Sequence, residues 1–512
     1  MTWEDTKSLM PLLGPFLAAL AILVVGGRKE RGPNPLLPLL ALAGFGWTLV
    51  GVGCLWPLEG AHDAFAGGLR LDGLGLVVAL LVSLGGAACT LLSVDYLKRR
   101  GRNLPEFYVL VLFSALGMMV MGMSTNWLSL LLGLETMSLA LYVLCGFLRD
   151  ETRSVESSIK YFLTGSFASG LFLFGMGLLY GGTGSFEFRD LGGAMLDAQS
   201  QPLIVVGVGF LLAGFLFKIG AAPLHMWLPD VYEGAPTPIT GFMATGVKVA
   251  AFAAVIRVLS EIYQHEHVGL RDVLWWIALI TMIVGNVAAL AQTSVKRMLA
   301  YSSIAHAGYL TIALVVMRGA VGENGAIDFS GSLAARAILY YLLAYLVANM
   351  GAFGVLSYLE KQGGKGLAYE DLAGLGFKHR FLGLVLSVFA LSLAGIPGTA
   401  GFVGKFLVFG SAVDAGVGTA DSSFVLLAVL GILNSLVGLY YYLRVLIQLY
   451  AKPLAEDAST RGAPLVGMGT GLVIVASFIG TLWWGFGADF LNLGFGVEPA
   501  MRMMQGALAT LR

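Results

Sequence analysis

The chain is 512 residues long, 57% hydrophobic and only 12% charged, with a formal net charge of zero. A soluble domain carries about a quarter charged residues, so this chain has half the charge it would need in water, and a mean hydropathy of +0.82 places it in a bilayer. Zero net charge removes the electrostatic case for a nucleic-acid partner, and the three cysteines, Cys54, Cys89 and Cys145, have no Cys-x-x-Cys spacing from which this chain alone could assemble an iron–sulfur or zinc site.

From the N-terminus onward, apolar runs long enough to cross the hydrocarbon core are expected at 8–26, 35–56, 73–94, 107–123, 126–148, 157–181, 201–222, 237–258, 272–291, 298–317, 334–358, 381–410, 423–448 and 466–486. The fold class is therefore all-α membrane, with about fourteen transmembrane helices. The opening Met1-Thr2-Trp3-Glu4-Asp5 is acidic and lacks the basic region of a cleaved signal, so the first run reads as a permanent span. No connecting segment is long enough for a soluble domain. One polytopic domain over 1–512 is expected, with three spans in 1–106, repeats of five spans in 107–258 and 272–448, and a last span at 466–486. The 70 glycines suit close approach of helix backbones.

Lysine and arginine fall mainly in alternate loops. Arg28, Lys29, Arg31, Lys98, Arg99, Arg100, Arg102, Arg149, Arg153, Lys296, Arg297, Lys361, Lys365, Lys378, Arg380, Lys452 and Arg461 lie in odd-numbered loops, against Arg70, Arg189, Arg271 and Arg318 in even-numbered ones. The positive-inside rule then puts the odd loops in the cytoplasm and both termini on the other side.

Two of these spans are broken. The seventh ends in Phe217-Lys218-Ile219-Gly220-Ala221-Ala222-Pro223, and the twelfth contains Gly395-Ile396-Pro397-Gly398 followed by Gly404-Lys405. Glycine and proline at such points interrupt the helix, and paired interruptions mark a transporter built from repeats. The two are five spans apart, an odd number, so they run in opposite directions and the repeats of spans 4–8 and 9–13 must be inverted.

Four ionisable groups fall well inside spans: Glu135, Lys218, Lys248 and Lys405. Each costs at least a few kcal/mol at the bilayer centre. One reading is structural, an ion pair between Glu135 and Lys218 with the other lysines snorkelling to an interface. The other is a proton relay. A free lysine keeps its proton up to about pH 10.4; desolvation favours release and a nearby carboxylate opposes it, so the distance from Glu135 to Lys218 would act as a switch. His306, near the middle of span ten, has a side-chain type suited to a relay between lysines or to a hydrogen-bonded core. His225 follows the first break, where it lines a passage or simply packs. Lys160, near the cytoplasmic end of span six, is an anchor or a feed for protons. His62, His265, His267 and His379 read as loop residues. No phosphate-binding loop or dinucleotide fingerprint is present, so nucleotide binding has no support.

Gly133-Leu134-Glu135-Thr136, Ser157-Ser158-Ile159-Lys160-Tyr161, the stretch from Phe217-Lys218 to Pro238, Lys248, Gln292-Thr293-Ser294-Val295-Lys296-Arg297-Met298-Leu299-Ala300-Tyr301-Ser302-Ser303-Ile304, and Gly395-Ile396-Pro397 through Lys405 together resemble the antiporter-like membrane subunits of respiratory complex I, the proton-translocating NADH:quinone oxidoreductase, and most of all its subunit N type. The resemblance covers essentially the whole chain. It implies fourteen helices with two inverted five-helix half-channels, a Glu–Lys pair in the first, a connecting lysine on helix eight and a terminal ionisable group on helix twelve, which fall here on Glu135, Lys218, Lys248 and Lys405. A lysine at 405 departs from the glutamate of the M type, and the chain ends without the long lateral helix of the L type. The resemblance further implies a bacterial cytoplasmic (inner) membrane location, K- and M-type subunits as neighbours, and no cofactor in this chain, with NADH, FMN, iron–sulfur clusters and quinone held by other subunits. The competing expectations are a subunit of a multi-subunit cation/proton antiporter or membrane-bound hydrogenase, a free-standing symporter, and a passive scaffold.

Overall fold

In a computed structural model of the chain, the described residues are 3–27, 34–56, 60–194, 201–263, 268–318, 320–321, 327–328, 331–360, 367–451, 466–486 and 497–509. Arg28, Lys29, Arg31, Lys361, Lys365, Lys452 and Arg461 of the charge count, and His265 and His267, lie outside them.

The helices are α1 Trp3–Gly26, α2 Leu36–Leu55, α3 Gly73–Arg99, α4 Pro105–Met123, α5 Trp127–Cys145, α6 Thr152–Thr183, the short α7 Arg189–Ala194, α8 Gln201–Ile219, α9 Trp227–Gly234 and α10 Thr237–Phe242. A π-helical turn over Met243–Val247 carries α10 into α11 Lys248–Ile262. Then follow α12 Val268–Leu290, α13 Val295–Val316, α14 Leu333–Leu359, α15 Leu375–Lys378, α16 Arg380–Ala394, α17 Ala400–Thr419, α18 Ser422–Ala451, α19 Met468–Phe486 and α20 Val497–Ala509. Among the described residues, strands form two small antiparallel pairs, β1 His62–Ala64 with β2 Leu69–Leu71, His62 opposite Leu71, and β3 Ala320–Val321 with β4 Ile327–Asp328.

Fourteen helical stretches among the described residues are long and apolar enough to span a membrane, with α10, the π turn and α11 forming one of them. The number matches the sequence expectation. The expected twelfth span over 381–410 is two helices, α16 and α17, of which α17 is the longer.

In lipid the outer surface is as apolar as the interior, so burial rather than hydropathy tells which helices sit at the centre. Over the 18-residue apolar stretch of each span, every residue of the α10–α11 span and of α14 is buried, as are 94% in α13, against 28% in each of α18 and α19. Leu426, Ile432 and Leu436 of α18 point outward. Small residues let the helices close up. An added Cβ at Gly117 of α4 would strike the Gly133 carbonyl of α5, and one at Gly133 would meet the Gly117 carbonyl at 2.9 Å, the small-residue contact by which membrane helices associate.

Backbone groups freed at the two breaks are satisfied again inside the bundle, as non-helical backbone at membrane depth requires. At the first, Gly220 adopts φ +74°, the Phe217 carbonyl accepts from Trp227 Nε1 at 3.0 Å, and the Ala222 amide donates to Thr281 Oγ1 at 3.0 Å. At the second, Gly395 adopts φ +88° and the Gly401 amide donates to Ser392 Oγ at 3.1 Å.

Candidate functional site

Lys218 closes α8 one turn before its break and is 2% exposed. Its Nζ donates to Ser138 Oγ of α5 at 2.7 Å, among the rings of Phe217, Tyr142 and Tyr161 at 5.5, 5.8 and 5.8 Å. Tyr161 stacks on Trp227 of α9 at 4.5 Å, which ties the wall of this pocket to the far side of the break. Glu135 precedes Ser138 by three residues and so shares its helix face. The expected Glu135–Lys218 ion pair is not made: no ion pair of Lys218 within 4.0 Å occurs among the described residues, and the nearer serine takes its hydrogen bond. Glu135 Oε1 and the hydroxyls of Tyr142 and Tyr161 are buried without a protein partner.

Lys248 opens α11 directly after the π turn, and it too is 2% exposed. Its Nζ donates to the main-chain carbonyl of Ser303 on α13 and lies 5.0 Å from the Tyr345 ring of α14. That ring is also 5.0 Å from His306. His306 is 3% exposed, with Nδ1 2.5 Å from Tyr341 Oη and Nε2 3.0 Å from Tyr442 Oη, which also meets Ser302 Oγ. Tyr309, 5.7 Å from His306, is in turn 5.1 Å from Lys405 Nζ. Lys405 is 6% exposed and donates to the Ala394 carbonyl at the second break and to Ser435 Oγ, both at 2.8 Å. Three of the predicted residues, Lys248, His306 and Lys405, thus form one continuous cluster bridged by Tyr345 and Tyr309, while Glu135 and Lys218 form another. A cavity of about 10 Å³ between His306, Tyr341, Ser392 and Gly401 is at the lower limit for a single water.

Gly395 is required where it stands. A Cβ there would lie 2.8 Å from Lys405 Cδ, and its φ of +88° strains any other residue by about 1–2 kcal/mol. Gly395→Ala is expected to push Lys405 off the Ala394 carbonyl and to destabilise the fold by about 1–2 kcal/mol, read as a fall in the detergent unfolding midpoint.

The remaining predictions fall outside the clusters. Lys160 is 43% exposed and pairs at 2.7 Å with both Glu156 and Asp230. With Arg153, Glu233 and Arg297 it lines an open polar cleft of about 150 Å³. Burial would raise the Asp230 carboxyl, but hydrogen bonds from Lys160 and Arg297 outweigh that and hold it below its ordinary value. His225 is half-buried at the first break, its Nδ1 without a partner, and no side-chain hydrogen bond among the described residues joins it to either cluster.

Two ionic groups were not anticipated. Arg257 of α11 clasps Asp72, the N-cap of α3, with bonds of 2.6 and 2.7 Å, and donates Nε to the Gly122 carbonyl at 2.7 Å. It lies inside the span expected at 237–258, close enough to its end to be passed over as a flanking charge. Lys296, counted as a loop cation, is 1% exposed and faces Glu360 at 3.5 Å. Burial would raise the Glu360 carboxyl, yet Lys296, the Thr237 hydroxyl and Arg100 hold it below its usual value. Lys296 stands two residues before the apolar run expected at 298–317 and is the second residue of α13, so the helix begins earlier than the apolar run alone indicates.

Residues 124–431, which include both clusters, match the family model described as NADH:quinone oxidoreductase/Mrp antiporter, TM. The chain belongs to this family. It is 41% identical to NADH-quinone oxidoreductase subunit N of Trichlorobacter lovleyi over 444 residues, 86% of each chain, and 43% identical to that of Salinibacter ruber over 473 residues, 89% of each. Among solved structures it is similar to a chain of respiratory complex I from Thermus thermophilus with bound aureothin, with a TM-score of 0.76, 36% identity, and coverage of 94% of this chain and 98% of that one. A chain of the Mrp complex from Dietzia sp. DQ12-45-1b shares the fold, with a TM-score of 0.82 at 20% identity, over 100% of this chain and 98% of that one.

Proposed function

We propose that this chain translocates protons across the membrane as the subunit N-type module of NADH:quinone oxidoreductase, driven by quinone reduction in partner subunits. The observation that carries the reading is the buried run Lys248–Tyr345–His306–Tyr309–Lys405, whose titratable groups are costly in lipid and lie in sequence through the centre of the bundle. The names of the relatives and the extent of the match support it.

In this reading Glu135, Lys218, Lys248 and Lys405 hold and release the proton. His306, flanked by two phenols, passes it between Lys248 and Lys405. The orphaned polar atoms of Glu135, Tyr142 and Tyr161 beside Lys218, and of Ser303 and Tyr345 beside Lys248, need partners that water supplies. Lys160 and its carboxylate neighbours, at the open cleft, collect protons for Lys218 through the Tyr161 side of the pocket, and His225 lines the break. The half-channels are inverted repeats, α4–α11 and α12–α18, and both termini face away from the cytoplasm in a bacterial inner membrane. K- and M-type subunits flank the chain, and NADH, FMN, iron–sulfur clusters and quinone reside in other subunits.

The test is the set of proteins that copurify in mild detergent, followed by proton uptake of the reconstituted assembly. NADH-oxidising partners with quinone-driven uptake are expected. Copurification with antiporter subunits alone, and sodium-dependent uptake, would support the rival cation/proton antiporter.

Tyr442→Phe gives a narrower check. Removing the hydroxyl leaves His306 Nε2 and Ser302 Oγ without that partner, which costs about 1–3 kcal/mol, or about 5- to 150-fold if it all falls on the transfer step. Proton uptake per quinone is expected to drop. Tyr340→Phe, whose hydroxyl bonds the Trp484 carbonyl, should leave it unaltered.

A further inference from the structure

Six helix ends meet at one end of the bundle around the carboxylate of Glu360. Glu360 caps the C-terminus of α14 and its side chain is 12% exposed. One oxygen accepts from Thr237 Oγ1, at the first residue of α10, at 2.5 Å and lies 3.7 Å from Arg100 Nη2, at the end of α3; the other lies 3.5 Å from Lys296 Nζ, in the first turn of α13. Lys296 also donates to the carbonyl of Ala235, the C-cap of α9, at 2.8 Å. Arg100 reaches Glu151, the N-cap of α6, at 3.4 Å. The carboxylate therefore sits where the N-termini of α10 and α13 converge, the ends that favour negative charge.

These are the helices that carry the transfer groups. From Thr237, about three turns lead to Lys248; from Lys296, about two turns lead to Ser303, whose carbonyl receives Lys248. The segment ending at Ala235 begins with Trp227, which holds the Phe217 carbonyl beside Lys218. A slide or rotation of α10 against α13 at the Glu360 end would carry through rigid helix to the Lys248–Ser303 contact.

We propose that Glu360 is a positioning residue that locks the two half-channels in register through Thr237 and Lys296, so that Lys248 meets α13 in the geometry proton transfer needs. The proposal rests on the proton-relay reading given above. The carboxylate acts through Thr237, Lys296 and the helices they begin, and takes no proton itself.

The experiment uses the assembled complex in liposomes, with partner copurification as the measure of assembly and protons taken up per quinone, across a pH series, as the readout. Thr237→Val keeps the shape and every charge pair but removes the hydroxyl. It is expected to lower the proton yield per quinone and to change its pH profile, and Thr237→Ser should restore both. Glu360→Gln keeps an acceptor for Thr237 but leaves Lys296 and Arg100 facing a neutral group, and should lose more of the yield. Unchanged yield and pH profile in Thr237→Val overturn the proposal, as does equal loss in Thr237→Ser. If Glu360→Gln fails to assemble, the Thr237 pair decides alone. Lys405→Met in the same membranes separates the two levels. Full pumping there removes the relay reading itself, whereas loss there with intact Thr237→Val and Glu360→Gln removes only the role of Glu360.

Discussion

Lys218→Met is expected to stop proton transfer through this chain, and Lys218→Arg is expected not to rescue it. Methionine fills the same buried space among Phe217, Tyr142 and Tyr161 but cannot donate to Ser138 or carry a proton. A positioned acid–base group contributes about 10²–10⁴-fold, so uptake through this route should fall at least a hundredfold. Arginine decides between roles. It keeps the positive charge and a donor for Ser138, as a purely structural cation would need, but it does not deprotonate in proteins, so a residue that must release its proton cannot be replaced by it. Single-turnover proton uptake in liposomes, measured with the complex shown to be assembled, provides the reading. Recovery with arginine would make Lys218 a structural cation and sink the relay at its first step.

Arg257→Met is the second large effect, and it falls on stability. Asp72 has no exposed side-chain surface and Arg257 little, 0% and 7%. Removing one partner strands the other charge, which costs about 3–5 kcal/mol. Asp72 has a second task, accepting from the Gly75 amide at 2.8 Å as the N-cap of α3, and asparagine caps as well as aspartate. Arg257→Met alone should reduce assembly and lower the detergent unfolding midpoint, whereas Arg257→Met with Asp72→Asn should recover most of both and pump normally. A double variant as unstable as the single would mean that the arginine, through its bond to the Gly122 carbonyl, contributes more than the pair. Buried charge alone therefore does not mark a relay: this bidentate clasp is saturated, while Lys218 and Lys248 lie beside orphaned polar atoms.

The amino-acid order alone determined the number of spans, the two breaks and the four central charges. Each depends on a local property: the length of an apolar run, a glycine or proline that the helix cannot absorb, or the cost of a charge at mid-depth. It did not determine which charges meet. Lys218 bonds Ser138 rather than Glu135, Lys248 ends on a main-chain carbonyl, Lys296 leaves its loop for a buried site, and Arg257 finds Asp72 185 residues away. These contacts follow from how each helix is rotated and where it stands in the bundle. In water a polar stripe would betray that rotation. In lipid both sides of a helix are apolar, so α14, with its central apolar stretch buried, and the mostly outward α18 are similarly apolar there, and only the packing of one helix against another assigned them to the centre and the rim.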